Sequence, residues 1–249
     1  RARSLSQFLT HAVNREGIAD IWTPPNDLKE HIGRAKKGEQ INQKGDPFSD
    51  DQQILDFLKT LPIDSPFKKD ADAATRWNNA FCLMAELGLR PTEVNQLIVK
   101  KDPTTKEFYW FCTYAKKGGG GTTEPRRIEP LPLLDRDGKE IQWNLIDRFR
   151  ANLLPLPDRV DGDACKVYLQ RREGWKQLKE MMKKKEGANL VPYSFRHYYS
   201  LRGHIAGIDS GSMASSMGHS IEAHHRAYPY SSKASTTNAF KQARERLTA

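Results

Sequence analysis

Four consecutive glycines, Gly118 to Gly121, separate the two stretches of this chain that read as β-structure. On one side, residues 107–116 are short, aromatic and β-branched, and on the other Arg126 to Leu133 can run back alongside them. A glycine run at that point makes a mobile turn, so the pair predicts an antiparallel hairpin. The segments around it are written mostly at helical spacing. The expected fold is therefore mainly α with a small antiparallel β-sheet or hairpin at one side, an α+β arrangement. The glycines are not a phosphate-binding loop, because no Gly-Lys-Ser or Gly-Lys-Thr follows them.

The helical segments are delimited by recognisable signals. Leu5, Phe8, Leu9 and Val13 share one face of a segment running to Gly17, and Pro24-Pro25 stops regular structure soon after. Residues 30–46 are polar and rich in Gly and Lys, as in an interdomain linker. A new start follows at Ser49-Asp50-Asp51-Gln52, with Ile54, Leu55 and Leu58 as the apolar face. The next helix is expected from Asp70 to Leu87 on the spacing of Trp77, Ala80, Phe81, Met84 and Ala85, with Gly88 as its stop. Pro91-Thr92-Glu93 restarts a helix through Leu97. Beyond Ile141 the expected helical spans are 163–185, 194–206, 209–217, 220–228 and 236–247. In the last of these Phe240, Ala243 and Leu247 form a narrow stripe. The division expected is residues 1–45 as the end of one domain plus linker, and 46–249 as a second domain. The opening at Arg1 rather than Met fits a piece of a longer protein.

The formal net charge of +9 calls for an anionic partner, either nucleic acid or an acidic membrane surface. The excess is concentrated between Cys165 and Arg202, where ten Lys or Arg face three Glu. No apolar run approaches the roughly 20 residues that span a bilayer, and no signal peptide opens the chain. Cys82, Cys112 and Cys165 are far apart and odd in number, which suggests neither a disulfide framework nor a zinc knuckle and fits a reducing compartment. His219, His224 and His225 lack a nearby Cys or Asp ligand and make a poor metal site. His224 and His225 are expected on the solvated side of their helix.

Four segments carry candidate chemistry. They are Leu87-Gly88-Leu89-Arg90-Pro91-Thr92-Glu93; a hairpin lysine, Lys116 or Lys117; Tyr193-Ser194-Phe195-Arg196-His197; and Met217-Gly218-His219, with Tyr228 nine residues after the histidine. In this order and spacing they resemble the tyrosine recombinase (phage integrase) family over residues 47–249. That family's pattern is a "GLRxxE" turn, a hairpin Lys, an "HxxR" box, a "GH" box and a Tyr about nine residues on. The box that usually opens with His holds Tyr193 here. Tyr198 and Tyr199 lie in an apolar helical stretch and read as core, and Tyr230 is two residues past the position that Tyr228 fills.

The resemblance implies a reaction and roles for these residues. Tyr228 would attack a DNA phosphorus, giving a 3′-phosphotyrosyl link and releasing a 5′-hydroxyl. Arg90 and Arg196, planar forks of donors, would hold the non-bridging oxygens. Lys116 or Lys117 would protonate the leaving oxygen, His219 would bond a non-bridging oxygen, and Glu93 would orient Arg90 or His219. Tyr193, a phenol, is a poor base for a second phenol. No cofactor or metal is implied, since the arginines supply the charge. Lys183, Lys184, Lys185 and Arg126 would contact double-stranded DNA. The family implies a homotetramer on DNA joined through the C-terminal helix, accessory DNA-bending proteins, and a role in DNA recombination or integration in the cytoplasm of a bacterium or for a phage or mobile element. It also implies that residues 1–45 end a core-binding domain. Two other readings fit the residues: a DNA-binding relative without catalysis, and a type IB topoisomerase that relaxes DNA without exchange.

Overall fold

The computed structural model describes residues 2–27, 45–116, 123–228, 240–241 and 244–245. The chain divides into two compact units, Arg1–Gln43 and Lys44–Ala249. In the first, helix α1 (Ala2–Glu16) ends before Gly17, whose φ of 69° leaves the helical region, and a 3-10 turn follows at Asp20–Trp22. The stripe read from the sequence lies partly in the open, since Leu5 and Phe8 are both exposed.

The second unit is mainly helical with one three-stranded antiparallel sheet, as expected. Helix α2 (Asp51–Lys59) starts where the sequence places it, with the Asp50 side chain accepting from the Gln53 N–H. Ile54, Leu55, Phe57 and Leu58 are its buried face. Helix α3 (Lys68–Leu87) ends on Gly88 at φ 63°, a left-handed stop that glycine adopts without strain. Helix α7 (Ser194–Ile205) packs along α3. Between them Phe195 is stacked on Phe81 at 5.3 Å, with Phe48 at 5.0 Å and Trp175 at 6.2 Å closing the cluster.

Strand β2 (Phe108–Cys112) pairs with β3 (Arg126–Ile128), the expected hairpin, while the tip with Lys117 and Gly118–Gly121 lies outside the described residues. The sheet has a third member that the sequence reading missed. Strand β1 (Leu97–Lys101) pairs antiparallel with β2, Val99 opposite Trp110. The expected helix restart at Pro91 is a short 3-10 turn (Pro91–Gln96) that feeds this strand directly. The span read as one helix over 163–185 is also two. These are α5 (Gly162–Gln170) and α6 (Glu173–Glu186), broken at Arg171–Arg172, with a short α4 (Leu145–Arg150) before them. The chain closes with α8 (Ser210–Met217), stopped by Gly218 at φ 68°, and α9 (Ile221–Ala227), started by Ser220. Of the expected helix 236–247, only residues 240–241 and 244–245 are described, and they are helical. Among the described residues no helix is long and apolar enough to cross a membrane.

Candidate active site

The site is built where two helices end. The left-handed stops at Gly88 and Gly218 turn the last carbonyls of α3 and α8 toward one point, and the orphan carbonyls there accept from arginines. Arg196 Nη1 donates to Gly88 O at 2.7 Å and its Nη2 to Met217 O at 2.6 Å. Arg90 Nη2 donates to Gly218 O at 3.2 Å. Neither glycine tolerates a side chain, since a Cβ would lie 2.3 Å from the Tyr199 ring at Gly88 and 2.5 Å from the Arg126 guanidinium at Gly218.

Beneath the arginines lies Glu93, with no exposed surface. Its position in the first turn after Arg90 lets Oε2 accept the Arg90 backbone N–H at 2.8 Å, a capping-box contact. Oε1 accepts from Arg90 Nη1 at 2.7 Å and from Arg126 Nη2 at 3.0 Å, while Arg196 Nη1 stands 3.6 Å from Oε2. Burial alone would raise the Glu93 carboxyl, but Arg196, Arg126, Arg90 and the backbone N–H outweigh it and hold it below the ordinary range. Three guanidinium groups around one carboxylate leave a surplus of two positive charges in a largely dry site. That surplus, presented by planar donor forks, suits a tetrahedral anion.

Arg126 is placed differently from the reading that put it on a DNA-contacting surface. Its side chain is 11% exposed, with Nε bonded to Ser216 O at 2.7 Å and Nη2 to Glu93. It occupies the inward face of β3, the face of Ile128, while Arg127 points outward. Desolvation lowers its pKa, against the raising effect of Glu93. It is thus a member of the arginine cluster.

Tyr228 follows α9 directly and is 3% exposed. It packs with Tyr199, Met213 and Met217 in a small second core, and Tyr198 and Tyr199 are both buried, as read from the sequence. Its ring centroid lies 4.8 Å from that of His224, 5.5 Å from His197 and 6.0 Å from His219. His219 Nδ1 meets Arg196 Nη2 at 3.1 Å, so the "GH" histidine bridges the arginines and the tyrosine. Burial, then Arg196, His224, Arg90 and Arg126, push His219 down to about 2, and the imidazole is neutral. His224 corrects its expected place. It is fully buried between His219 and His204, 2.8 and 2.7 Å away, because it lies one helical turn before the inward-facing Tyr228.

The structure brings together Arg90, Arg196, Glu93, His219 and Tyr228. Tyr193 stands at the start of α7, partly exposed, its ring 6.1 Å from that of His197. Lys116 is exposed at the base of the hairpin, its backbone N–H and C=O both paired with Thr123 at 2.9 Å. Thr123 Oγ1 in turn donates to Gly218 O at 3.3 Å, a tie between hairpin and clamp that the sequence reading did not anticipate. Lys183, Lys184 and Lys185 lie apart, exposed in the last turn of α6, where Lys184 pairs with Glu180 at 2.8 Å and all three suit the helix dipole. The three histidine rings meet nitrogen to nitrogen in a row, and among the described residues no group of three His, Cys, Asp or Glu side chains could hold a metal ion.

No protein-family model and no curated protein matches the chain. Solved structures with some likeness include the Tn1549 transposon integrase in complex with circular intermediate DNA, 16% identical with a TM-score of 0.43 over 99% of this chain and 78% of that one. Another is the XerH site-specific recombinase bound to palindromic difH substrate, 14% identical with a TM-score of 0.46 over 96% and 71%. Likeness at this level carries no argument about chemistry.

Proposed function

We propose that this chain carries the catalytic domain of a tyrosine site-specific recombinase, over residues 46–249, preceded by the end of a core-binding domain in 1–45. One observation carries the reading: the "GLRxxE", Arg196 and "GH" segments, remote in sequence, converge as an arginine cluster on Glu93, and Tyr228 stands against its histidine edge. A phosphodiester seated on Arg90 and Arg196 would take over donors that now rest on Gly218, Gly88 and Met217 carbonyls. The Tyr228 oxygen attacks phosphorus, the P–O5′ bond breaks, and Lys116 or Lys117 gives the 5′-oxygen its proton. The two arginines stabilise the charge that gathers on the non-bridging oxygens, and His219, its Nδ1 against Arg196 and its Nε2 against His224, stands beside them. Removing one such donor costs about 10²–10³ in rate.

Lys183, Lys184 and Lys185 add phosphate contacts on double-stranded DNA. Assembly is that of a homotetramer joined through residues 236–247, with accessory DNA-bending proteins, acting on bacterial, phage or mobile-element DNA in the cytoplasm. Deleting residues 234–249 is the test of the assembly, and an unchanged tetramer on DNA would refute it.

A nicked suicide duplex tests the chemistry. Wild type becomes covalently attached to DNA and Tyr228→Phe does not. Attachment that survives Tyr228→Phe would move the nucleophile elsewhere, and DNA binding without attachment would favour a non-catalytic relative. Relaxation of arbitrary supercoiled plasmid with no recombinant product would favour a type IB topoisomerase.

A further inference from the structure

The row of histidines behind the clamp has a direction. Arg196 can only donate, so His219 Nδ1, 3.1 Å from its Nη2, is an acceptor. A neutral His219 then carries its one proton on Nε2, 2.8 Å from His224 Nδ1. His224 accepts there and keeps its own proton on Nε2, 2.7 Å from His204 Nε2. His204 accepts in turn and holds its proton on Nδ1. One arginine thereby sets three tautomers. In the resting protein such a row can move a proton only from His219 toward His204.

We propose that His219, His224 and His204 form a relay, set in the resting protein to run toward His204, that withdraws the phenolic proton as Tyr228 attacks DNA. The inference rests on the recombinase reading above, and it supplies a base where the family box holds Tyr193. When phosphate draws the Arg196 donor away, the His219 Nδ1 lone pair is released. It accepts the Tyr228 hydroxyl proton, His219 passes its Nε2 proton to His224 Nδ1, and His224 passes its Nε2 proton to His204 Nε2. The Tyr228 oxygen–phosphorus bond forms, the P–O5′ bond breaks, and the hairpin lysine protonates the 5′-oxygen. The positive charge ends on His204. Rejoining sends the proton back through the same bonds and restores the starting tautomers.

The surroundings favour that direction. His219 faces Arg196, Arg90 and Arg126, which oppose a positive charge on it. Burial, His204, His225 and Arg196 hold His224 down to about 4, above His219. His204 lies in the last turn of α7, where helix carbonyls favour a cation. Burial and His225 lower it, but a backbone hydrogen bond with Ile208 and the charge of Asp209 act the other way. A proton entering beside three arginines therefore runs toward the helix end. His224 and His219 act on the reaction through tight nitrogen–nitrogen contacts, and Tyr228 packs on both rings.

Two measurements test this. In the DNA-free protein, long-range ¹H–¹⁵N spectra at pH 7 should show His219 and His224 protonated at Nε2 and His204 at Nδ1. A His224 protonated at Nδ1, or present as imidazolium, would overturn the relay whatever the enzyme does. The second uses a nicked duplex carrying the sequence that this protein selects from random DNA. His224→Gln and His204→Gln, checked for folding by circular dichroism, should slow attachment by ~10²-fold or more at pH 7. The deficit should close toward pH 10, where a tyrosine ionises unaided. A deficit constant with pH would mean a merely structural role and would refute the proposal. So would a pH-dependent loss in His197→Gln with His224→Gln unaffected, since His197 is the other histidine against the Tyr228 ring. No attachment by wild type would instead refute the recombinase reading, a result distinct from either.

Discussion

At the residue scale, Glu93 holds the arginines in register. It touches Arg90, Arg126 and Arg196, each on a different segment, and no other carboxylate pairs with any of them among the described residues. Glu93→Gln removes the shared charge and leaves three guanidinium groups facing one another across a dry site. Breaking a buried ion pair from one side costs about 3–5 kcal/mol, so the urea midpoint should fall accordingly. An unchanged midpoint would mean that the carbonyls suffice to hold the arginines. The sequence marked Glu93 through its spacing from Arg90, but not its part in gathering Arg126. That signal was present in strand parity: Arg126 is two residues from the inward Ile128, so both lie on the buried face of β3. A similar signal existed for His224, four residues before Tyr228 and so on its face of α9. Reading the histidines as solvated overlooked that a buried tyrosine drags its helix face inward with it.

At the element scale, the clamp depends on how α7 lies against α3, because Arg196 on one reaches the terminal carbonyl of the other. Phe195, the residue before Arg196, is fully buried among Phe48, Phe81 and Trp175 and fixes that packing. Phe195→Ala should lower stability by roughly 3–5 kcal/mol and slow DNA attachment as well. A stability loss with normal attachment would mean that Arg196 is positioned independently of its neighbour. The apolar periodicity of α2 and α3 and the glycine stop were legible because each has a local cause. Strand β1 was not, since Leu97-Ile98-Val99 follows a helix-start signal and only pairing with β2 decides its state. Nor was the break between α5 and α6, where Gly174 lies inside the first turn of α6 rather than at the bend and gives no stop signal of its own. Arg171 and Arg172 instead close α5 by turning, and the Arg172 guanidinium lies over the Tyr168 ring at 4.3 Å.

At the scale of the whole molecule, buried titratable groups tie stability to pH. His219 and His224 are held neutral, at about 2 and about 4, while an unfolded histidine takes a proton near 6.5. The unfolded chain therefore binds more protons as pH falls below about 6.5, and the folded state loses stability down to the folded pKa values. The Glu93 carboxylate, held below its ordinary 4.5, adds a second loss that begins only near that pH. Thermal midpoints should fall between pH 7 and 5, with the fall partly offset by Glu86, whose carboxyl burial raises to about 7 so that the folded state takes up that proton first, and should fall less steeply in His224→Gln. A flat profile across that interval would contradict the neutral row. The carbonyls that hold the arginines have a different consequence, one of tolerance. A peptide oxygen belongs to every residue type, so the identity of the side chain at Met217 has no part in holding Arg196 there. The count of residues is another matter. One residue inserted near the end of α3 or α8 swings each later carbonyl by about 100° around the helix axis. Apart from the two glycine stops, the clamp should therefore accept changes of spelling at those ends and no change of length.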